Sequence, residues 1–335
     1  MMSSVEVEVA KIAESLLLKT DHARPINVTT LSGGRNNSVH LLNTSTRQYV
    51  LKRLFHSKDD LRDRFLAETC FYAHCESMRI ESVPKLFVAA REYRSLLLEF
   101  VEGYELNAQD VSDKFIQSAL SFLIEINAQK KPKIDLPPAS ESCLSIDAHI
   151  ELIDNRISKL EQFVTDNEAR LFVFTKLRPV WDQLVRPIAE DCEYVSKLVN
   201  PFISPSDFGF HNCLIRPNAT AVFYDFEYAG WDDPAKLICD FFCQVEVPVP
   251  ISYFDFVLDQ LHCLTRKEDF LADRTRRLLP AFKIKWCCIL LNEFLQSELA
   301  RRQFSDHSSA SNLLESQLAK ASTMLDEASR FANDI

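Results

Sequence analysis

Between Ser204 and Asp240 the chain carries two short apolar runs, Asn212-Cys213-Leu214-Ile215 and Ala221-Val222-Phe223-Tyr224, split by Arg216-Pro217-Asn218-Ala219-Thr220. That break predicts a β-hairpin. A hairpin at this point limits the fold, because it holds Asn212, entering the first strand, close to Asp225, leaving the second. Two oxygen donors side by side suit Mg²⁺, a hard cation that keeps company with nucleotide phosphates. Asp207, in the loop just before the hairpin, is placed to meet a substrate hydroxyl. An acid with two adjacent metal donors is the layout of a phosphoryl-transfer site. An Asp and an Asn five residues apart are common by chance; the second acidic block at hairpin spacing is what two loop-capping residues and a solvated acid leave unexplained.

The segment resembles the catalytic and metal loops of the aminoglycoside phosphotransferase / choline kinase family, small-molecule kinases related in fold to protein kinases. The family pattern Asp-x-x-x-x-Asn, hairpin, Asp-[Trp/Phe]-Glu…Gly…Asp-Pro…Asp is met by Asp207, Asn212, Asp225-Phe226-Glu227, Gly230, Asp233-Pro234 and Asp240. The resemblance implies an α+β, protein-kinase-like bilobal fold. Residues 1–102, with a leading helix over 3–19, are then a nucleotide-binding lobe: a small antiparallel sheet with one main helix. Residues 103–335 form a larger, mostly helical lobe carrying the catalytic and metal loops. Two departures stand out. The usual His-Gly before the catalytic aspartate is Pro205-Ser206, and the usual Leu-His-Pro-Gly after it is Phe208-Gly209-Phe210-His211. The support of the loop must therefore differ. His211 either joins in that support or merely fills space, and the second reading is slightly preferred. Gly209 stands where protein kinases with a catalytic-loop lysine would carry Lys, and the block Asp225 to Asp240 leads directly into helix, leaving no long activation segment. Both features favour a small-molecule acceptor.

The chain has only five glycines, Gly33, Gly34, Gly103, Gly209 and Gly230, where usage near ~7% would give roughly twenty or more. All five fall in segments that the resemblance makes functional. A hydrophobic content of 47% is ample for a core, and a net charge of −10 argues against general affinity for nucleic acid or anionic membrane. Ten cysteines without C-x-x-C pairs, mostly in apolar runs, read as buried reduced thiols. The amino terminus lacks a secretory pattern, and no apolar run approaches the roughly 20 residues of a membrane span. A cytoplasmic protein is expected.

Taken in order, strands are expected over 26–31, 39–42, 48–54, 83–90 and 95–101, and a strong helix over 58–78. The Gly33-Gly34 pair lets backbone N–H groups close over an anion, although most such pairs are simply turns. Leu31-Ser32-Gly33-Gly34-x-x-Asn37, with Ser38 next, also resembles the family's nucleotide loop. Lys52 and Arg53 should point to opposite faces of their strand, and the family's register selects Lys52 for the phosphates. Glu68, mid-helix among apolar residues, needs a cation: Lys52, or locally Arg64. The strand ending at Glu102-Gly103 resembles the inter-lobe hinge, where the backbone of Glu99 to Val101 would meet adenine. Helices are expected over 110–128, 145–170, 176–198, 232–246, 251–265, 273–303 and 309–332, with Trp181, Trp231 and Trp286 packing among them.

The chemistry expected is transfer of the ATP γ-phosphate, with Mg²⁺, to a hydroxyl of a small molecule such as a sugar, amino alcohol or aminocyclitol. Asn212 and Asp225 hold the metal, Lys52, steadied by Glu68, holds the non-transferred phosphates, and Asp207 accepts the acceptor proton or orients the hydroxyl. The alternative is a pseudokinase that binds nucleotide as scaffold or sensor without turnover. A third option is nucleotidyl transfer at the same site.

Overall fold

The computed structural model describes residues 4–20, 25, 27–31, 37–56, 60, 62–129, 132–189, 197–266, 269–295 and 311–332. A helix, α1 (Ser4–Leu17), leads into strands β1 (Asn27–Leu31), β2 (Ser38–Asn43) and β3 (Gln48–Arg53). After α2 (Arg64–Met78) come β4 (Leu86–Ala90) and β5 (Ser95–Glu99). These strands make one antiparallel sheet in the order β1-β2-β3-β5-β4. Val9, Ile12, Ala13, Leu16 and Leu17 of α1 pack on Leu42, Tyr49, Leu51 and Leu97, covering one face of the sheet. Alternation then decides the two basic residues of β3. Arg53 Nη2 donates to Glu8 Oε1 of α1 at 3.0 Å, whereas Lys52 is buried on the other face, toward α2.

The helix expected over 58–78 starts at Arg64, because the Asp63 carboxylate accepts the Leu66 N–H at 3.0 Å and caps it there. It ends on Arg79 in the left-handed conformation.

The remainder is mostly helical: α3 (Asp113–Ile126), α4 (Ile146–Phe163), α5 (Asn167–Phe172), α6 (Arg178–Ala189), α7 (Pro234–Cys243), α8 (Phe254–Leu261), α9 (Leu271–Leu291) and α10 (Ser311–Ala332). The single helix expected over 145–170 is two, since Asp166 caps a new start by accepting the Ala169 N–H. A π-helical turn, Val173–Leu177, joins α5 to α6. The helix expected to run to 303 ends at Leu291 and passes into a 3₁₀ turn, Asn292–Phe294. Strands β6 (Tyr104–Glu105), β8 (Cys213–Ile215) and β9 (Ala221–Phe223) form one small sheet; β7 (Phe202–Ser204) pairs with β10 (Gly230–Asp232). Of these, β6, β7 and β10 were not expected, being too short to show a period. Trp181 is buried, with Nε1 on Asp154 at 3.1 Å; Trp231 and Trp286 are half-buried. Among the described residues nine cysteines are unpaired: six are buried, Cys70 and Cys143 are half-buried, and Cys263 is exposed.

An aromatic cluster at the centre of the protein fixes both functional loops. Phe122 of α3 lies 5.9 Å from Phe208, 4.9 Å from Phe223 and 6.2 Å from Phe226. Phe226 packs in turn on Phe71 of α2, at 4.4 Å. The residues after Asp207 and Asp225 are thus buried anchors, and such aromatic pairs add about 0.5–1.5 kcal/mol each beyond their burial.

Candidate active site

The β8–β9 hairpin forms as its turn residues dictate, pairing Cys213 with Phe223 and Ile215 with Ala221. Beyond the ladder, Tyr224 N–H donates to the Asn212 carbonyl at 3.0 Å, so Asn212 and Asp225 leave its open end side by side. Asp225 has φ 68°, a left-handed conformation that a non-glycine residue adopts at a cost. That turn directs its carboxylate to Lys52.

Lys52 Nζ donates to Glu68 Oε1 and Oε2 at 2.7 and 2.8 Å and to Asp225 Oδ1 at 2.6 Å. Glu68 is fully buried and held by Lys52, while Arg64 turns to Glu227 and Asp60. Burial works against the Lys52 charge, yet Asp225 and Glu68 outweigh it and hold the ammonium pKa above its usual value. One ammonium serves two acids; burial therefore pushes both Glu68 and Asp225 above the normal carboxylate range.

Across the hairpin, Asp207 is pinned on three sides. Its N–H donates to the Pro205 carbonyl at 3.0 Å, and its own carbonyl accepts Asn212 Nδ2 at 2.9 Å. His211 Nε2 meets its Oδ1 at 3.2 Å. Burial would raise the Asp207 pKa, but the adjacent His211 prevails and keeps the carboxyl below its usual value; Asp207 raises the imidazole pKa in return. The Asp207 side chain remains 36% exposed, open to an acceptor. Before it, Ser206 has φ 67°, and its hydroxyl accepts Lys236 Nζ of α7 at 3.1 Å. Lys236 is itself held by Asp232 at 2.6 Å.

Asn212 and Asp225 fit a Mg²⁺ ion by their chemistry. With its amide nitrogen spent on the Asp207 carbonyl, Asn212 keeps its side-chain oxygen for a metal, at the same open end of the hairpin as Asp225. An amide oxygen and a carboxylate are hard oxygen donors of the kind that would hold Mg²⁺.

The other residues expected at the nucleotide fall out differently. Gly33 and Gly34 lie outside the described residues. The Asn37 amide is committed elsewhere: Nδ2 donates to Glu227 Oε2 at 3.0 Å and Oδ1 accepts the Phe55 N–H at 3.2 Å. The Ser38 hydroxyl is 2.8 Å from His40 Nε2. Both polar atoms of the Asn37 amide are thus taken, and half-buried Ser38 shares its hydroxyl with His40 at the start of β2. Glu99 is not merely solvated: its carboxylate accepts Arg216 Nη2 at 3.0 Å and the Lys85 N–H at 3.1 Å. Its own N–H donates to the Lys85 carbonyl, while Val101 is buried just beyond the sheet.

Sequence reasoning named Glu227 only as part of the motif and Arg64 only as a local partner for Glu68, and foresaw no contact between them. Glu227 is buried and accepts Asn37 on one oxygen and Arg64 Nη1 on the other, at 3.1 Å. Arg64 also binds Asp60 at 2.7 Å and lies over the Tyr228 ring. The signal for Glu227 was its place in the Asp225-Phe226-Glu227 motif; nothing local tied it to Arg64 or Asn37.

The fold is shared with solved kinases. A complex of gentamicin with APH(2″)-IIa superposes with a TM-score of 0.63 at 16% identity, covering 98% of this chain and 99% of that one. Choline kinase LicA from Streptococcus pneumoniae gives 0.56 at 16% identity, over 97% and 100%. The ethanolamine kinase Pv091845 of Plasmodium vivax gives 0.59 at 14%, over 98% and 89%. No curated protein matches the chain in sequence. Among the described residues no helix is long and apolar enough to cross a membrane. Residues 27–245 match the profile of the phosphotransferase enzyme family, which spans the sheet, α2, both functional loops and α7, and the chain belongs to that family.

Proposed function

We propose that the protein transfers the γ-phosphate of ATP to a hydroxyl of a small molecule, using the cleft between Lys52 and Asp207. The observation that carries this reading is Lys52 Nζ, buried and bonded at once to Glu68 and Asp225. An ammonium held by an acid on α2 and aimed at the metal loop is an arrangement for neutralising phosphate.

In this reading residues 1–102 supply the nucleotide site and residues 103–335 the acceptor site. The 32–36 loop covers the phosphates, the backbone of Glu99 to Val101 meets the adenine, and Lys52 binds the non-transferred phosphates. Asn212 and Asp225 would hold Mg²⁺, which when bound neutralises phosphate charge. Asp207 accepts the acceptor's hydroxyl proton or orients that hydroxyl for attack. The net charge of −10 and the gentamicin, choline and ethanolamine of the similar structures favour a hydroxylated amine as acceptor.

The test is Mg²⁺-dependent ADP formation over a panel of amino alcohols, aminocyclitols and sugars, with Asp207→Asn beside the wild type. The substitution should lower kcat by about 10²- to 10⁴-fold while the ATP dissociation constant stays within about twofold. Equal turnover by the two proteins refutes the reading. Nucleotide binding with no turnover on any acceptor would leave a nucleotide-binding scaffold.

A further inference from the structure

We propose that His211 is a positioning residue for Asp207, and that Gly209 is glycine so that the imidazole can reach it. The proposal rests on the functional reading above and deepens it, naming the group that replaces the family's usual support of the catalytic loop. The family pattern puts a histidine two residues after the aspartate. Here Gly209 occupies that place, and the histidine stands four residues after.

The geometry makes the two changes one device. His211 Nε2 meets Asp207 Oδ1 at 3.2 Å, and the Nδ1–Cε1 side of the ring lies next to residue 209. A Cβ built on Gly209 would stand 2.7 Å from His211 Nδ1 and 3.0 Å from its Cε1. Any side chain at 209 therefore pushes the imidazole off the carboxylate. Gly209 is extended, at φ 169°, so its glycine is required by space and not by conformation. Nδ1 is buried without a partner among the described residues, which leaves the bond to Asp207 as the ring's polar contact. A histidine that only filled space would gain from an apolar replacement, since a buried nitrogen without a partner is costly. With Nε2–H on one carboxylate oxygen and Asn212 on the Asp207 carbonyl, the acid has one orientation toward the cleft. A misplacement of about 1 Å at such a group can cost 10²-fold in rate.

The experiment measures ADP release from Mg·ATP with the best acceptor of the panel, or with water where the panel yields none. His211→Ala and Gly209→Ala should each lower kcat about 10- to 100-fold, with KM for ATP changed less than about twofold. The double variant should be no worse than either single one, and His211→Gln, whose amide donates at similar reach, should recover most of the rate. If His211→Ala does not fold by thermal melting, His211→Phe keeps the ring against Gly209 and removes only the donor. A kcat within twofold of wild type for the folded variant, or additive losses in the double variant, overturns the proposal. A second readout needs no turnover. In histidine-labelled protein the Nε2–H of His211 should give a ¹⁵N-coupled proton resonance that disappears in Asp207→Ala, and its absence from the wild type also overturns the proposal. If Asp207→Asn is inactive while His211→Ala is fully active, only this proposal falls; if both are fully active, the functional reading falls.

Discussion

Asn37 donates its side-chain amide to the Glu227 carboxylate at 3.0 Å, joining residues 190 positions apart across the cleft. With the neighbouring bonds it completes a pattern in which each residue of Asp225-Phe226-Glu227 fastens a different part of the amino-terminal sheet and helix. Asp225 holds Lys52 of β3, Phe226 packs on Phe71 and Tyr72 of α2, and Glu227 holds Asn37 and Arg64. Removing one partner of a buried ion pair costs about 3–5 kcal/mol, because the other charge stays buried. Glu227→Gln keeps the shape, and Arg64 retains Asp60, so a loss of about 2–3 kcal/mol is expected. Urea unfolding checks the stability, and under the proposed function titration with MgATP should show weaker binding, since Asn37 braces the start of β2.

Lys52→Met removes the one ammonium between Glu68 and Asp225. Two carboxylates then face each other in a buried site, which disfavours a further polyanion there. MgATP affinity should fall at least about tenfold, equivalent to about 1.4 kcal/mol. Glu68→Gln in the same background should restore part of it by removing one of the two acids. Fluorescence titration with a nucleotide analogue measures both, and unchanged affinity in Lys52→Met would remove Lys52 from the site.

How much of this was legible in the sequence depends on the range of each interaction. The Asp207, Asn212 and Asp225 constellation could be read because one short hairpin sets its spacing; Glu68 sits on a helix of clear period, whereas Lys52 was separated from Arg53 only by the family's register. Glu227 with Asn37 and Arg64 could not be read: that contact depends on how the sheet docks on the metal loop, which no local pattern encodes. Phe122 looked like any apolar residue of α3, although it joins Phe208 to Phe226. The start of α2 was misplaced because the apolar period was read back through Leu61, ahead of the Asp63 cap. Asp63 caps Leu66, while Asp60 is drawn off by Arg62 and Arg64.

Gly230 shows a close approach of the kind that glycine scarcity suggested. Its Cβ would stand 2.1 Å from the Pro137 carbonyl oxygen and 2.7 Å from the Ala139 nitrogen, both backbone atoms. The 137–139 segment is clamped there by Trp231 N–H to the Pro137 carbonyl and Ala139 N–H to the Trp231 carbonyl, each at 2.9 Å. Gly230→Ala must separate these strands or break the β7–β10 pairing. A loss of about 3 kcal/mol or more is expected, at the upper end for overpacking. Thermal melting would reveal it, and a melting point unchanged from wild type would mean that the segment yields freely.

His40 gives the amino-terminal sheet a dependence on pH. The ring is buried on β2 between the Thr30 and Ser38 hydroxyls, at 3.2 and 2.8 Å. Burial, and then the nearby charge of Arg53, lower its pKa to about 4 from 6.5. The folded protein therefore resists a proton that the unfolded chain accepts. The stability His40 contributes is fully present above pH 6.5 and is lost as pH falls toward the folded value of about 4. Between pH 7.5 and 5.0 the loss is about 2 kcal/mol by linkage. Urea unfolding of the wild type and of His40→Gln at both pH values isolates this contribution, since glutamine can keep hydrogen bonds to the hydroxyls without titrating. The wild type should lose about 2 kcal/mol more than the variant on acidification. Equal losses in the two proteins would mean that the ring takes up its proton in the folded sheet as readily as in water.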